Sequence, residues 1–444
     1  MKDKVKNADQ SQIYRPDGGR RSVLGLGGAT AMAVGAMLLT QSKDARATTA
    51  SAYYINVQDA PYSALGNGTH DDTSSIQSAL NAASTSGVGV VVIPRTASSY
   101  KISSSLTVPA NVVLYLLGTL KVAAGSATLN VLVLNNNVSI LGPGTIDCSS
   151  VAATAGIYSI NSTNIFISNI TSTNAGYWPI NLVTCSNVTV EDCTFSNSGA
   201  SAEFAGGCTN CWAIRCTIFG ITDQGFAFYG GITDSGIVDS TSYNNQYAGI
   251  ALLNDGASSL TSPPCQRILI SNNICHDNMA SGIETTNGAG AAGYHSDVSI
   301  VGNVLHHNSK NPTFAAALGV FNVNRALVSN NQVYSDGSSS SATYGIAASA
   351  CHSVFITGND VHNTGQGGTS GCGIYVVNGV GSVVISGNFV YDDQTIKTMA
   401  SAIGGTATSK VIVMNNVLGS TIGSAITLPS GTNYFFNNPT TTTP

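Results

Sequence analysis

His276, Glu284, His306 and Lys310 fall within a short stretch of a chain in which only 9% of residues are charged. With Tyr243 they offer what elimination at a uronic acid requires. A base removes the proton α to the carboxylate, and an acid assists the leaving oxygen. Glu284 and Asp255 add oxygen ligands for a Ca²⁺ ion that would neutralise the carboxylate. The short motif NNICHDNMASGIETTNG carries His276 and Glu284 together, so their relation in space depends on how that motif folds.

The chain supplies a scaffold in the form of a repeat. NNICHDNMASGI, GNVLHHNSKN, NNQVYSDG, GNDVHNTG and GNFVYDD recur at spacings of 28 to 30 residues. Each follows a β-branched run such as RILIS, DVSIV or SVVIS. A second short strand then opens, often on Gly-Ile: GIALLND, GIETTNG, GIAASAC, GIYVVNG. Such a period, with Asn and Gly at the turns, predicts stacked parallel β-coils. The leucine pattern of leucine-rich repeats is absent. Beyond residue 47 the only glutamates are Glu191, Glu203 and Glu284, and this poverty in helix formers favours strands and tight turns.

Strand alternation sorts the faces. Aligned on N-N-x-h-X-N, where h points inward, the outward column X reads Ser196, Phe219, Tyr243, His276, His306, Tyr334, His362, Tyr391. At about 4.8 Å between coils this predicts a continuous stripe of rings. Ring faces and polar tips suit sugars; the competing expectation is that the rings stack on one another and merely cover the sheet. Catalysis is expected of His276, Glu284, His306, Lys310 and Tyr243. Substrate binding is expected of Phe219, Tyr229, Tyr334, Arg325, His362 and Tyr391.

A second column, two residues after the glycine that opens each second strand, reads Ala227, Ala251, Glu284, Phe321, Ala347, Tyr375, with Glu203 aligning loosely. Glu203 and Glu284 are then three coils, or about 14 Å, apart. That is too far for the acid and nucleophile of one glycosidase site. Asn254, Asn287, Asn324 and Asn378 read as an asparagine ladder at one turn; Asp277 and His307 occupy similar turn positions. The longer loops at 255–266 and 287–297 leave one edge of neighbouring coils. They predict the walls of a groove over residues 219–325.

Ahead of the coils, GNGTHDDTSSIQSALNAASTSG predicts a helix at 72–85 with Ile76, Leu80 and Ala83 on one face. It would cover the open strand edges of the first coil. Together with GVVVIP, a Tyr-Lys-Ile turn and LYLLGTLKV, this opening resembles that of the pectate-lyase-like superfamily, which includes polygalacturonases, alginate epimerases and many tail-spike-like proteins. The later coils resemble its generic repeat, so the resemblance spans nearly all of the chain beyond the leader. It implies an all-β fold: a single-stranded right-handed parallel β-helix with an N-terminal capping helix, acting on a polysaccharide. The N-T-D, G-H-G and R-I-K motifs of polygalacturonases are absent. Where epimerases carry D-P-H-E after Gly-Phe, this chain has GFAFYGG, with Ala227 and Tyr229 in the Asp and His places. The expectation is therefore a lyase-type reaction. The alternatives are a glycoside hydrolase and a non-catalytic glycan-binding surface protein.

Residues 1–47 read as a twin-arginine export signal: Arg20-Arg21, the apolar run ATAMAVGAMLL, and Ala45-Arg46-Ala47. The apolar run is short for a membrane span, so an extracytoplasmic protein without stable membrane insertion is expected, periplasmic or secreted; the alternative is an N-terminal anchor. The β-helix is expected over 48–435 and a Thr-rich flexible tail over 436–444. Without the leader, 9 basic and 18 acidic residues leave a net charge of −9, which argues against nucleic acid as a partner. Oligomeric state is left open. Cys185 and Cys208 are 23 residues apart, as are Cys193 and Cys216. One coil separates each pair, and Cys211 lies nearby. Buried thiols, disulfides formed after export and a structural zinc are the three readings.

Overall fold

The computed structural model describes residues 54–440, apart from 87–88, 127–128, 150, 152–153, 255–262, 288–292, 312–315, 336–342, 366–370, 378–380, 408–409, 420, 422 and 430–432. The expected leader and Asp255 lie outside the described residues, as does Asn378.

The chain winds into parallel coils of three strands each. In one coil a long strand, Gln266–Ser271, passes through a tight turn into a short one, Ile274–His276; a broader turn leads to a third, Ile283–Asn287. The next long strand, His295–Val301, then lies beside the first, with Ile268 opposite Val298. Long and short strands of successive coils form a 26-stranded sheet, and the third strands form a separate 12-stranded sheet. The inward side chains Ile268, Ile270, Cys275 and Ile283 are at most 2% exposed. Burying each large aliphatic contributes about 1.5–3 kcal/mol, so the interior column of every coil drives the winding.

The tight turn explains the recurrent Asn-Asn and Gly-Asn pairs. Its first residue has a positive φ: Asn272, Asn330 and Asn415 lie at 56–57°, Gly302, Gly358 and Gly387 at 65–70°. Only Gly, or Asn with its local hydrogen bonding, occupies that region at low cost. From Asn272 onward the second residue is Asn and buried; in the three coils before, it is Cys193, Cys216 and Ser240, also buried. Asn273, Asn303, Asn331, Asn359 and Asn388 each donate Nδ2–H to Oδ1 of the next, at 2.8–3.0 Å. The same Oδ1 accepts the preceding asparagine's backbone N–H, at 2.9 Å between Asn303 and Asn273. Buried amides that would otherwise be costly are thereby satisfied. This ladder is not the one expected. Asn254 does pair with Asn287, but Asn324 lies in the large sheet opposite Ser296.

A helix, Thr73–Ser86, precedes the coils and buries Ile76, Ala79, Leu80 and Ala83. The Asp72 carbonyl accepts the N–H of Ile76, while its fully buried carboxylate accepts Leu65 N–H at 2.7 Å and Gly66 N–H at 3.0 Å. At the other end, Tyr434–Phe436 pairs with Ile412–Met414, and Thr440, in the stretch read as a tail, bridges Leu418. No helix among the described residues is long and apolar enough to cross a membrane.

All ten cysteines are buried and none forms a disulfide. The Cys185 N–H points at the Cys208 sulfur, 3.2 Å away, as the one-coil spacing requires. Burial pushes the Cys265 thiol up to about 12, so it stays protonated and unreactive. Among the described residues no group of three or more His, Cys, Asp or Glu is placed to hold a metal ion.

Candidate functional site

The first outward column has the membership read from the sequence. Ser196, Phe219, Tyr243, His276, His306, Tyr334, His362 and Tyr391 are successive register partners. From Phe219 to Tyr391 the ring centroids are 4.8–5.3 Å apart, and neighbouring planes are within 18° of parallel. Every ring between the ends therefore has both faces covered by other rings. What remains outside is an edge: the side chain of His276 is 24% exposed and that of His362 13%. A sugar stacks on a ring face, and this stripe presents none along its length.

The cations beside it are occupied. Asp277 accepts a hydrogen bond from His276 Nδ1 at 2.7 Å and pairs with Lys310 Nζ at 2.6 Å, and its carboxyl lies below the ordinary value despite partial burial because both groups favour the anion. Arg325 does not face a groove. It makes a two-pronged pair with Asp297 at 2.6 and 2.7 Å, and Arg267 does the same with Asp234. Both pairs continue an exposed asparagine ladder through Asn137, Asn164, Asn187 and Asn210. Like those asparagines, Asp234, Arg267, Asp297 and Arg325 have positive φ, so Arg325 belongs to a turn scaffold.

The motif carrying His276 and Glu284 splits between two sheets. His276 ends a strand of the large sheet and Glu284 lies in the smaller one. The two face different surroundings: Asp277 and Lys310 border a hollow of about 300 Å³ with Thr222 and Gln246, whereas Glu284 lies in a separate cleft of about 510 Å³. Tyr229 is on the smaller sheet, opposite Ala205 and Leu253.

Register on the smaller sheet gives the row Asn181, Glu203, Ala227, Ala251, Glu284, Gly319, Ala347, Tyr375. Glu203 is thus a full member. Phe321 is not, since Gly319 sits opposite Glu284 and Phe321 opposite Ser349. The strand opens on Ala316, so Leu318 takes the usual Ile place and Gly319 the outward one. Phe321 still reaches the row, because a Cβ on Gly319 would come within 2.4 Å of its ring. Ala227 and Ala251 are fully buried, which closes the surface between Glu203 and Glu284.

Around Glu203 the structure assembles residues the sequence did not connect. Burial raises its carboxyl from 4.5 to about 7, against the pull of Trp178 and with the help of the Asp223 charge. Trp178 Nε1–H donates to Oε2 at 3.1 Å, and the Trp178 ring meets Tyr177 edge-on, centroids 4.1 Å apart. Asp223, in the turn before Phe226–Tyr229, is also raised by burial; it accepts a hydrogen bond from Ser201 Oγ at 3.4 Å. Asn181, beside Glu203 in the row and 4% exposed, leaves its Oδ1 without a hydrogen-bond partner. The sequence signal was faint: one glutamate in a loosely aligned coil, and an aspartate just ahead of Gly-Phe.

A protonated carboxyl beside an ionisable one is the arrangement of general acid–base chemistry. Glu284 is raised by burial too, with the Ser281 hydroxyl opposing the shift, but among the described residues no second carboxyl lines its cleft.

His295 is a further buried group. Its Nδ1 accepts the Cys265 N–H at 3.1 Å, and Nε2 lies 3.1 Å from the Thr286 carbonyl. Those partners require the neutral ring with its proton on Nε2, as does burial, which lowers its pKa. It ties together the coil edges from which the two long loops leave.

The family described as "right handed beta helix region" matches residues 130–290. No curated protein matches the sequence. Among solved structures, the A-module of the Azotobacter vinelandii mannuronan C-5 epimerase AlgE6 is similar at 18% identity and TM-score 0.62, over 87% of this chain and 99% of that one. A mutant tailspike of the E. coli bacteriophage HK620, in complex with a pentasaccharide, is similar at 16% identity and TM-score 0.59, over 86% and 78%. The PfbA surface adhesin of Streptococcus pneumoniae is similar at 15% identity and TM-score 0.57, over 84% and 91%. The chain therefore has the right-handed parallel β-helix fold.

Proposed function

We propose that the protein hydrolyses a glycan at Glu203 and Asp223. The observation that carries this reading is the Glu203 carboxyl, held protonated to about pH 7 on an outward row beside a second carboxyl. Glu203 would give its proton to the glycosidic oxygen as the bond to the anomeric carbon breaks. Asp223 would take a proton from the water whose oxygen bonds to that carbon. The unpartnered Asn181 Oδ1 and the Trp178–Tyr177 pair would orient a sugar hydroxyl and ring. Similarity to an epimerase and to a tailspike complexed with a pentasaccharide supports a glycan as the ligand. The elimination expected from the sequence has less support. Lys310 and Arg325 are ion-paired, and the stripe holding His276, His306 and Tyr243 is packed face to face.

Incubation with neutral and uronate glycans, with and without Ca²⁺, tests the proposal. New reducing ends without new ultraviolet absorbance are expected. Glu203→Gln and Asp223→Asn should each lose about 10²-fold or more in rate, and wild-type activity should fall as pH rises above 7. Absorbance from an unsaturated uronate would replace hydrolysis by elimination. Binding without either product would make this a glycan-binding protein.

A further inference from the structure

The cleft over Glu284 lies on the same row as Glu203 but is cut off from it by the two buried alanines. Its volume of about 510 Å³ falls within the ~300–1,000 Å³ common for small-ligand sites. Ala347 and the Phe321 ring, which lies over Gly319, line the cleft. One wall is a pair of stacked phenols: the Tyr344 and Tyr375 centroids are 4.0 Å apart with planes 9° from parallel. Unlike the long stripe, this stack has two members among the described residues, and both rings line the cleft. Hydrogen-bonding groups come from Ser281, Glu284 and Thr286. Among the described residues no Lys, Arg or His lines the cleft. An anionic sugar would therefore meet a carboxyl with no cation to offset it, whereas hydroxyls of a neutral sugar find acceptors and aromatic faces.

We infer that this cleft binds a neutral oligosaccharide as a site separate from the Glu203 centre. It holds a chain without cutting it, and the Glu203 reading supplies only the expectation that the bound chain is one the protein also cleaves. Electrophoresis of the whole mature protein through gels containing soluble β-glucan, xylan, galactomannan or polygalacturonate tests it, with thermal melts confirming that each variant folds. At least one neutral glycan should retard the wild type and polygalacturonate should not. Tyr375→Ala and Phe321→Ala should each weaken retardation about tenfold, and Glu284→Gln should let polygalacturonate bind. Glu203→Gln should be retarded as the wild type is. The inference fails if no neutral glycan binds, if polygalacturonate binds the wild type equally well, or if both aromatic variants behave as wild type. Retardation without cleavage sinks only the Glu203 reading; cleavage with wild-type retardation of Tyr375→Ala and Phe321→Ala sinks only the cleft.

Discussion

Glu203 shows how one residue's surroundings reach both chemistry and stability. Its folded value of about 7 lies above the ordinary 4.5 because water is largely excluded and Asp223 is near. The folded state therefore binds the proton more tightly than the unfolded chain. The stability this gives is fully present below pH 4.5 and is lost as pH rises through 7, by about 3 kcal/mol. Glu203→Gln keeps a neutral acceptor for Trp178 and removes the titration. Its melting temperature should match that of the wild type near pH 4 and exceed it at pH 8. Parallel melting curves across that range would mean that the carboxyl is hydrated after all. Nothing in the sequence around Glu203 announced this behaviour, because the shift comes from burial and the Asp223 charge, against the Trp178 hydrogen bond; Trp178 and Asp223 lie 25 residues before and 20 after it, brought close only by winding.

The ring stripe is a property of strands in register rather than of any one ring. Its membership was legible because each short strand from Ile274–His276 to Phe389–Tyr391 begins directly after an Asn-Asn or Gly-Asn turn, and the earlier ones after Asp-Cys, Arg-Cys or Asp-Ser at the same place; the positive-φ first residue fixes where the alternation starts. The row on the smaller sheet was less legible. Its strands follow broader turns, and the Ala-Ala-Leu-Gly opening at 316–319 moves the apparent starting glycine by two places. What alternation could not tell was whether ring faces would be offered to a ligand or spent on one another. At the roughly 4.8 Å spacing of strands, parallel rings are already close to van der Waals contact, so stacking wins wherever rings fill consecutive coils. His306→Ala removes the stacks with His276 and Tyr334. It should cost about 1–2 kcal/mol of stability while leaving glycan cleavage within about twofold of wild type. A large loss of activity at full stability would return the stripe to the active site.

At the scale of the whole molecule, each coil leans only on its neighbours, so stability is close to a sum of local terms. The N-terminal end is covered by Thr73–Ser86, while Tyr434 and Phe436 at the other end stay more than half exposed. Leu80 is fully buried between helix and first coil, and Leu80→Ala should cost about 2–5 kcal/mol by leaving a cavity. In a nearest-neighbour stack that loss is confined to the end where it arises. Hydrogen exchange should therefore quicken in Val90–Ile93 and Val113–Leu116 while Gln266–Ser271 and His295–Val301 keep their protection. Fluorescence of Trp178 and Trp212, both in middle coils, should report unfolding at a higher temperature than far-ultraviolet dichroism, which averages all coils. Equal acceleration of exchange throughout, with coincident transitions by both probes, would instead establish a single cooperative unit. The distinction bears on the proposed sites, because Glu203 and Glu284 lie in coils far from both ends. In a locally stabilised stack they stay ordered while the ends fray, whereas in a cooperative one any damage to the cap reaches them at once.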